Sequence, residues 1–344
     1  MQHPLSPPSL SDEELRRFGI VPEDEQIHPH APDHEWWNES YFWDWFDARG
    51  EWAGHLRFGM HPNQDRAWLW LFIYTGTEWI AIEEPRLPLR EIELPRLAYS
   101  GWGLNFAYEV SDPLRAGTLR CDGFGRVVSG PRVGMILPMG VELEIGALGA
   151  PYSQGGGVAA SHEAEGYSTN RFEQPTQVRG TIRVANETCA FDGRGQRDHS
   201  WGPRPWNMEW QFLVLNDERF RLQCAVVQIP GIPRLVSGYL HRDGPIPIDT
   251  ADFRFSFDDD SVTQPVAGEI AVKTEDGNTL SGSIEAISAA EIDLTHCFDP
   301  PERSVYRRSL IRFRPDEGGP PALGWLEVNR FVREPEGRAP RTTG

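Results

Sequence analysis

Residues 209–244 read EWQFLVLNDERFRLQCAVVQIPGIPRLVSGYLHRDG. Three apolar runs stand out: Glu209 to Leu215, Arg219 to Gln228 and Leu235 to Arg242. Each has the length of a strand and a composition rich in Val, Leu and aromatic residues. Asn216-Asp217 and Asp243-Gly244 follow the first and third runs. Both suggest hairpins, the Asp-Gly pair more strongly. The same style extends outward. Phe253 to Phe257, Leu280 to Ala286, Val305 to Phe313 and Trp325 to Val332 look alike, with Asp276-Gly277-Asn278 as a further turn. Upstream, residues 51–59, 66–74 and 78–83 are apolar-aromatic runs without helical spacing, and Leu104 to Val110 and Met139 to Leu148 follow suit. Many short strands at roughly regular spacing predict an all-β sandwich or barrel.

Helical signals are few. Ser11-Asp12-Glu13-Glu14 starts a capped helix with Leu15 and Phe18 as its apolar side. Residues 158–170 are a second short candidate. Gln154-Gly155-Gly156-Gly157 reads as a flexible connection that Gln174-Pro175 closes, which places a domain junction near residue 172. The expected organisation is an arm over 1–30, β domains over 31–172 and 173–333, and a frayed Pro/Arg/Gly-rich tail over 334–344.

The densest polar stretch is 191–206, FDGRGQRDHSWGPRPW. It is poor material for an ordinary core strand, and Asp192-Gly193 reads as a turn. If Arg197 to Trp201 is extended, Asp198 and Ser200 share one face, and Arg197, His199 and Trp201 share the other. An acid, an imidazole and aromatic planes in one place suit proton transfer beside an apolar ligand. A structural ion-pair knot, with Asp198 held by Arg197 or Arg204 and Trp201 filling core, explains the same residues.

With 344 residues there is ample chain for a sizeable core, and two domains are the expectation. The net charge of −18 argues against nucleic acid or an anionic membrane surface as partner. Lys273 is the only lysine, and the arginines are scattered. Cys121, Cys189, Cys224 and Cys297 have no C-x-x-C spacing and sit in or beside apolar runs, so four buried free thiols are expected. The first residues lack a signal-peptide pattern, and no stretch reaches the roughly 20 apolar residues of a membrane helix. A cytoplasmic monomer or homodimer without stable membrane insertion is the default. No dinucleotide, Walker, zinc-finger or nucleophile-elbow motif is present, so no cofactor is expected. His28-x-His30-x3-His34 is a weak metal pattern, and no metal site is expected; ligand binding or activity should survive chelation.

The run G-x-G-x-R-D-H-S-W-G within 191–206 resembles the midpoint signature of the lipocalin-like superfamily of carotenoid 1,2-hydratases and AttH-like proteins. Three stretches resemble its bacterial, AttH-like branch: Pro32 to Trp45 (PDHEWWNESYFWDW), Arg171 to Thr181 (RFEQPTQVRGT) and Gly324 to Arg330 (GWLEVNR). The resemblance implies two lipocalin-like (calycin) β-barrels side by side, each of a size to enclose one small ligand. It also implies a catalytic aspartate at Asp198, although neighbouring Arg197 and Arg204 would favour its ionised form and a base or anchor role.

Nine of the thirteen Trp precede residue 103. Trp36, Tyr41 and Trp43 would pack in the core, bind a hydrophobic ligand, or stabilise a carbocation by roughly 0.5–2 kcal/mol per good contact. Glu39 and Asp44 interrupt that aromatic run, and the family-like motif picks out Glu39. The expected site is therefore Asp198, His199 and Glu39 for proton chemistry, with Trp201, Arg204, Tyr41, Trp43, Trp36, Trp206 and His162 around the substrate. Two functions compete. One is a cofactor-independent lyase or isomerase that hydrates, dehydrates or cyclises an isoprenoid- or terpenoid-like molecule. The other is a non-catalytic carrier or transporter accessory protein.

Overall fold

The structure is a computed structural model, and it describes residues 10–94, 96–153, 170–204, 206, 208–231, 233–242, 244–258, 263–294 and 303–332. It is all-β. Strands β1 (Trp37–Asp47), β2 (Ala53–His61), β3 (Arg66–Tyr74) and β4 (Trp79–Pro88) pair in sequence order. Strands β5 (Ala98–Gly101), β6 (Leu104–Asp112), β7 (Ala116–Ser129) and β8 (Ile136–Ala147) form a second run. The two-residue β9 (Tyr152–Ser153) pairs with β10 (Asn170–Val184), and β10 pairs with both β8 and β11 (Glu187–Pro203). β11 pairs in turn with β1, and the far end of β7 pairs with β4. An eight-strand circuit, β1-β2-β3-β4-β7-β8-β10-β11, therefore closes on itself, with β5 and β6 as an extension.

The second half is a closed barrel of eight strands in sequence order. They are β12 (Glu209–Asn216), β13 (Arg221–Gln228), β14 (Leu235–His241), β15 (Pro245–Phe257), β16 (Pro265–Thr274), β17 (Thr279–Ile292), β18 (Arg303–Pro315) and β19 (Ala322–Val332). The 209–244 reading therefore holds strand for strand. Side chains fill both barrels: Trp43, Trp45, Phe58 and Leu119 are among those in the first, and Leu213, Leu222, Phe313 and Leu326 among those in the second. A third core joins the halves. In it Trp68, Phe72 and Trp79 of the first barrel pack with Phe212, Leu310 and Trp325 of the second.

Two expectations need correction. The sheets part between Pro203 and Glu209, not near residue 172, because β10 and β11 are needed to close the first circuit. The 191–206 stretch, which looked too polar for a core strand, lies largely within the 17-residue β11. Its glycines are strand glycines: a Cβ at Gly195 would stand 1.8 Å from the Asp44 carbonyl oxygen, and one at Gly193 2.3 Å from that of Phe46. Their absence of a side chain lets β11 approach β1. Cys189 is half-buried, while Cys121 and Cys224 are buried free thiols. The capped helix at Asp12–Leu15 forms as expected, with Leu15 buried. Residues 158–169, His162 among them, the tail from 334 and Cys297 lie outside the described residues.

Candidate functional site

The alternation on β1 and β11 decides which side chains meet. Along β1, Tyr41, Trp43 and Trp45 point into the first barrel, while Phe42 and Asp44 reach Arg308 of the second. β11 follows in register, with Ser40 opposite Ser200, Tyr41 opposite His199 and Phe42 opposite Asp198. Asp198 and Ser200 therefore face the second barrel, and Arg197, His199 and Trp201 face the first, as alternation predicts.

The face toward the second barrel opens on a narrow cleft of about 40 Å³ between the halves. Ser40, Phe42, Arg171 and Asp198 form one wall, and Trp210, Tyr306 and Glu327 form the other. Arg204 and Trp206, on the connection between the halves, border it, with the guanidinium 4.4 Å from the centroid of a ring of Trp206. Trp70 also lines it and separates it from a wider recess of about 230 Å³ that includes Trp68, Glu83 and Asp293. The space beside Asp198 alone holds a few waters.

Asp198 is held by neither expected arginine. Arg171 Nη2 donates to its Oδ2 at 2.7 Å, while Arg171 Nε donates to Glu173. Glu173 is directly opposite Asp198 in the β10–β11 register and also accepts from Gln196 Nε2 at 2.7 Å. Burial pushes the Glu173 carboxyl up to about 8; Arg171 opposes that rise, and the neighbouring Asp198 charge adds to it. Deeper in the interface, Asp44 pairs with Arg308, which also holds Glu327. Burial raises the Asp44 carboxyl to about 7 despite the Arg308 charge. The Tyr306 phenol is pushed up, mainly by burial.

The opposite face carries a separate constellation. Arg197 is paired with Glu25 of the N-terminal arm and donates to Gln174 and the Tyr108 hydroxyl, all buried. His199 lies 2.7 Å from Glu39 through Nε2 and stacks on Tyr41 at 4.0 Å. His28, from the arm, stacks on Trp201 at 3.8 Å and also reaches Glu39. Burial raises the Glu39 carboxyl, but its bonds to His199 and His28 bring it below the usual range.

The residues expected to act together are thus divided by a sheet. Asp198, Arg204 and Trp206 share the cleft; His199, Glu39, Trp201, Tyr41 and Trp43 lie on the other face. Trp36 is half-buried and packs against the shared core between the halves. His30 is exposed, and His28 meets Glu39 and His199 in place of His30 and His34. Arg171, Glu173, Tyr306 and Glu327 had no assigned role in the sequence reading. Arg171, Glu173 and Glu327 nevertheless lie in the stretches 171–181 and 324–330 that carried the resemblance. All four such stretches contribute to the cleft, through Ser40, Arg171, Asp198 and Glu327.

Residues 21–332 match the model of a domain family of unknown function, DUF7064. The chain belongs to that family. No curated protein matches the sequence. Among solved structures, an AttH protein of Nitrosomonas europaea, itself assigned only provisionally, shares 15% identity at a TM-score of 0.62, over 94% of this chain and 99% of that one. CghA in complex with Sch210972 shares 12% identity at a TM-score of 0.53, over 95% and 98%. Kievitone hydratase from Nectria haematococca shares 11% at 0.54, over 96% and 98%. At these identities the likeness establishes a common fold. Among the described residues, no helix is long and apolar enough to cross a membrane.

Proposed function

We propose that this chain is a cofactor-independent acid–base lyase or isomerase that hydrates, dehydrates or cyclises a hydrophobic, isoprenoid-like small molecule. The observation that carries the reading is Asp198. It stands on the cleft between the barrels, on one guanidinium with a second carboxyl that favours its protonated form. A carboxyl pair bridged this way can release or take up one proton beside a bound ligand, which general acid–base chemistry requires. Phe42, Trp70, Trp206 and Tyr306 supply aromatic walls, and the recess that shares Trp70 adds Trp68, Leu69 and Pro85 as apolar lining beside Glu83, Glu84 and Asp293. A hydratase among the proteins of similar fold supports the reading, although fold alone does not assign chemistry.

The carrier reading fares less well on one point. A lipocalin-type carrier holds its ligand inside a barrel, and both barrel interiors here contain packed aromatic and aliphatic side chains. The test is Asp198→Asn, which keeps shape and removes titration. With a substrate in hand, kcat should fall by roughly 10²–10⁴-fold while ligand affinity changes little. Activity that merely tracks the amount of folded protein would refute a proton-handling role.

A further inference from the structure

The face of β1 and β11 away from the cleft holds a cluster that the proposed reaction does not use. His28 Nδ1 and His199 Nε2 lie 3.1 and 2.7 Å from Glu39 Oε1, and the three side chains can offer donor atoms all within 4.8 Å of one another. We infer that His28, Glu39 and His199 form a binding site for a first-row divalent cation of the zinc class, which ties the N-terminal arm to the first barrel.

The outer nitrogens of the two rings set the argument. His199 Nδ1 is 2.8 Å from the Asp24 carbonyl oxygen, a contact that only an N–H can satisfy. In the neutral ring the Nε2 lone pair then points at Glu39. His28 Nε2 lies 3.7 Å from Asp24 Oδ1, which favours the proton on that nitrogen and turns the Nδ1 lone pair inward as well. Asp24 thus backs both imidazoles, one through its main chain and one through its side chain. Oxygen acceptors behind metal-binding histidines are the usual outer-shell arrangement.

The carboxylate gives a second, independent sign. Glu39 is 2% exposed, and its Oε2 is buried without a hydrogen-bond partner among the described residues. A buried carboxylate oxygen left in that state is costly unless a cation compensates it. A single shared proton satisfies one donor pair, whereas a divalent ion satisfies all three donors. Two imidazoles and one carboxylate match the donor preferences of zinc and its first-row neighbours. Closing tetrahedrally on zinc at about 2.0 Å asks His199 and Glu39 to part by roughly half an ångström and His28 and Glu39 by less. Stacking on Trp201 and Tyr41 holds the two rings in place on either side.

The site lies across the sheet from Asp198, so this inference stands or falls independently of the proposed reaction. The test uses the full chain stripped with a chelator and titrated near neutral pH with zinc by calorimetry and with cobalt(II) by visible absorption. Wild type should bind one equivalent, show cobalt d–d bands and melt at a higher temperature with zinc. The double variant His30→Asn/His34→Asn should behave the same. His28→Gln removes a half-buried ligand of the arm and leaves both barrels intact; its affinity should drop by at least about 10-fold, with an unchanged circular dichroism spectrum. No saturable binding to wild type would overturn the inference. So would equal binding by His28→Gln, or binding that vanishes with His30 and His34, which would mark adventitious capture by surface histidines.

Discussion

Arg171 sits between two carboxylates, and that sharing sets how the cleft titrates. Burial raises the Glu173 carboxyl from its ordinary 4.5 to about 8, so the folded chain holds a proton that the unfolded chain releases above 4.5. The stability this contributes is complete at low pH and is lost as pH rises through about 8. Asp44, raised to about 7, acts in the same sense over a lower range. Thermal stability should therefore fall between pH 5 and 8, and Glu173→Gln should flatten the upper part of that fall. Melting curves across this range, wild type against variant, check it; an unchanged slope would mean that Glu173 is ionised throughout. Asp198 and its face were legible from alternation along Arg197 to Trp201. Its partner was not, because Arg171 is 27 residues upstream, and only the β10–β11 register brings it there.

β11 explains why a strand so polar can be buried. From Gly195 to Gly202 both its faces are covered, so its polar groups find partners in the barrel, the arm or the opposite half: Arg197 with Glu25, Asp198 with Arg171, His199 with Glu39, Ser200 with Ser40, Gln196 with Tyr239. Hydropathy alone reads such a strand as a loop, since period-2 patterning assumes one wet face. The glycines that looked like turn signals are sites of close approach. Gly195→Val should force β11 from β1 and cost about 3 kcal/mol or more, measurable by urea denaturation. Glu25→Ala leaves Arg197 charged and buried; loss of one partner from such a pair costs about 3–5 kcal/mol. Protease cleavage within residues 21–28 should accelerate in that variant, because Glu25 also accepts from the Leu114 backbone and anchors the arm.

The two barrels share a third core, so neither half buries its interface alone. Trp325 and Trp79 are both fully buried across that junction, and Trp79 Nε1 donates to Ser288 of the opposite half at 2.8 Å. Calorimetry should therefore show one cooperative unfolding transition; two separated transitions would mean that the halves are independent. The β content and its hairpins were legible because each strand of 209–332 pairs with a sequence neighbour. The true division between sheets was not, because β11 closes the first circuit by pairing with β1, whose closest register pair, Asp47 with Gly193, spans 146 residues of chain, and β10 links β11 to β8. The same long-range closure places the candidate site between the barrels instead of inside one. A crystal structure with a bound substrate or product analogue tests that placement most directly. The reacting atoms should lie within hydrogen-bond distance of Asp198, between Trp206 and Tyr306, with the apolar body running past Trp70. A ligand seated within the first barrel, beside Glu39 and His199, would contradict it.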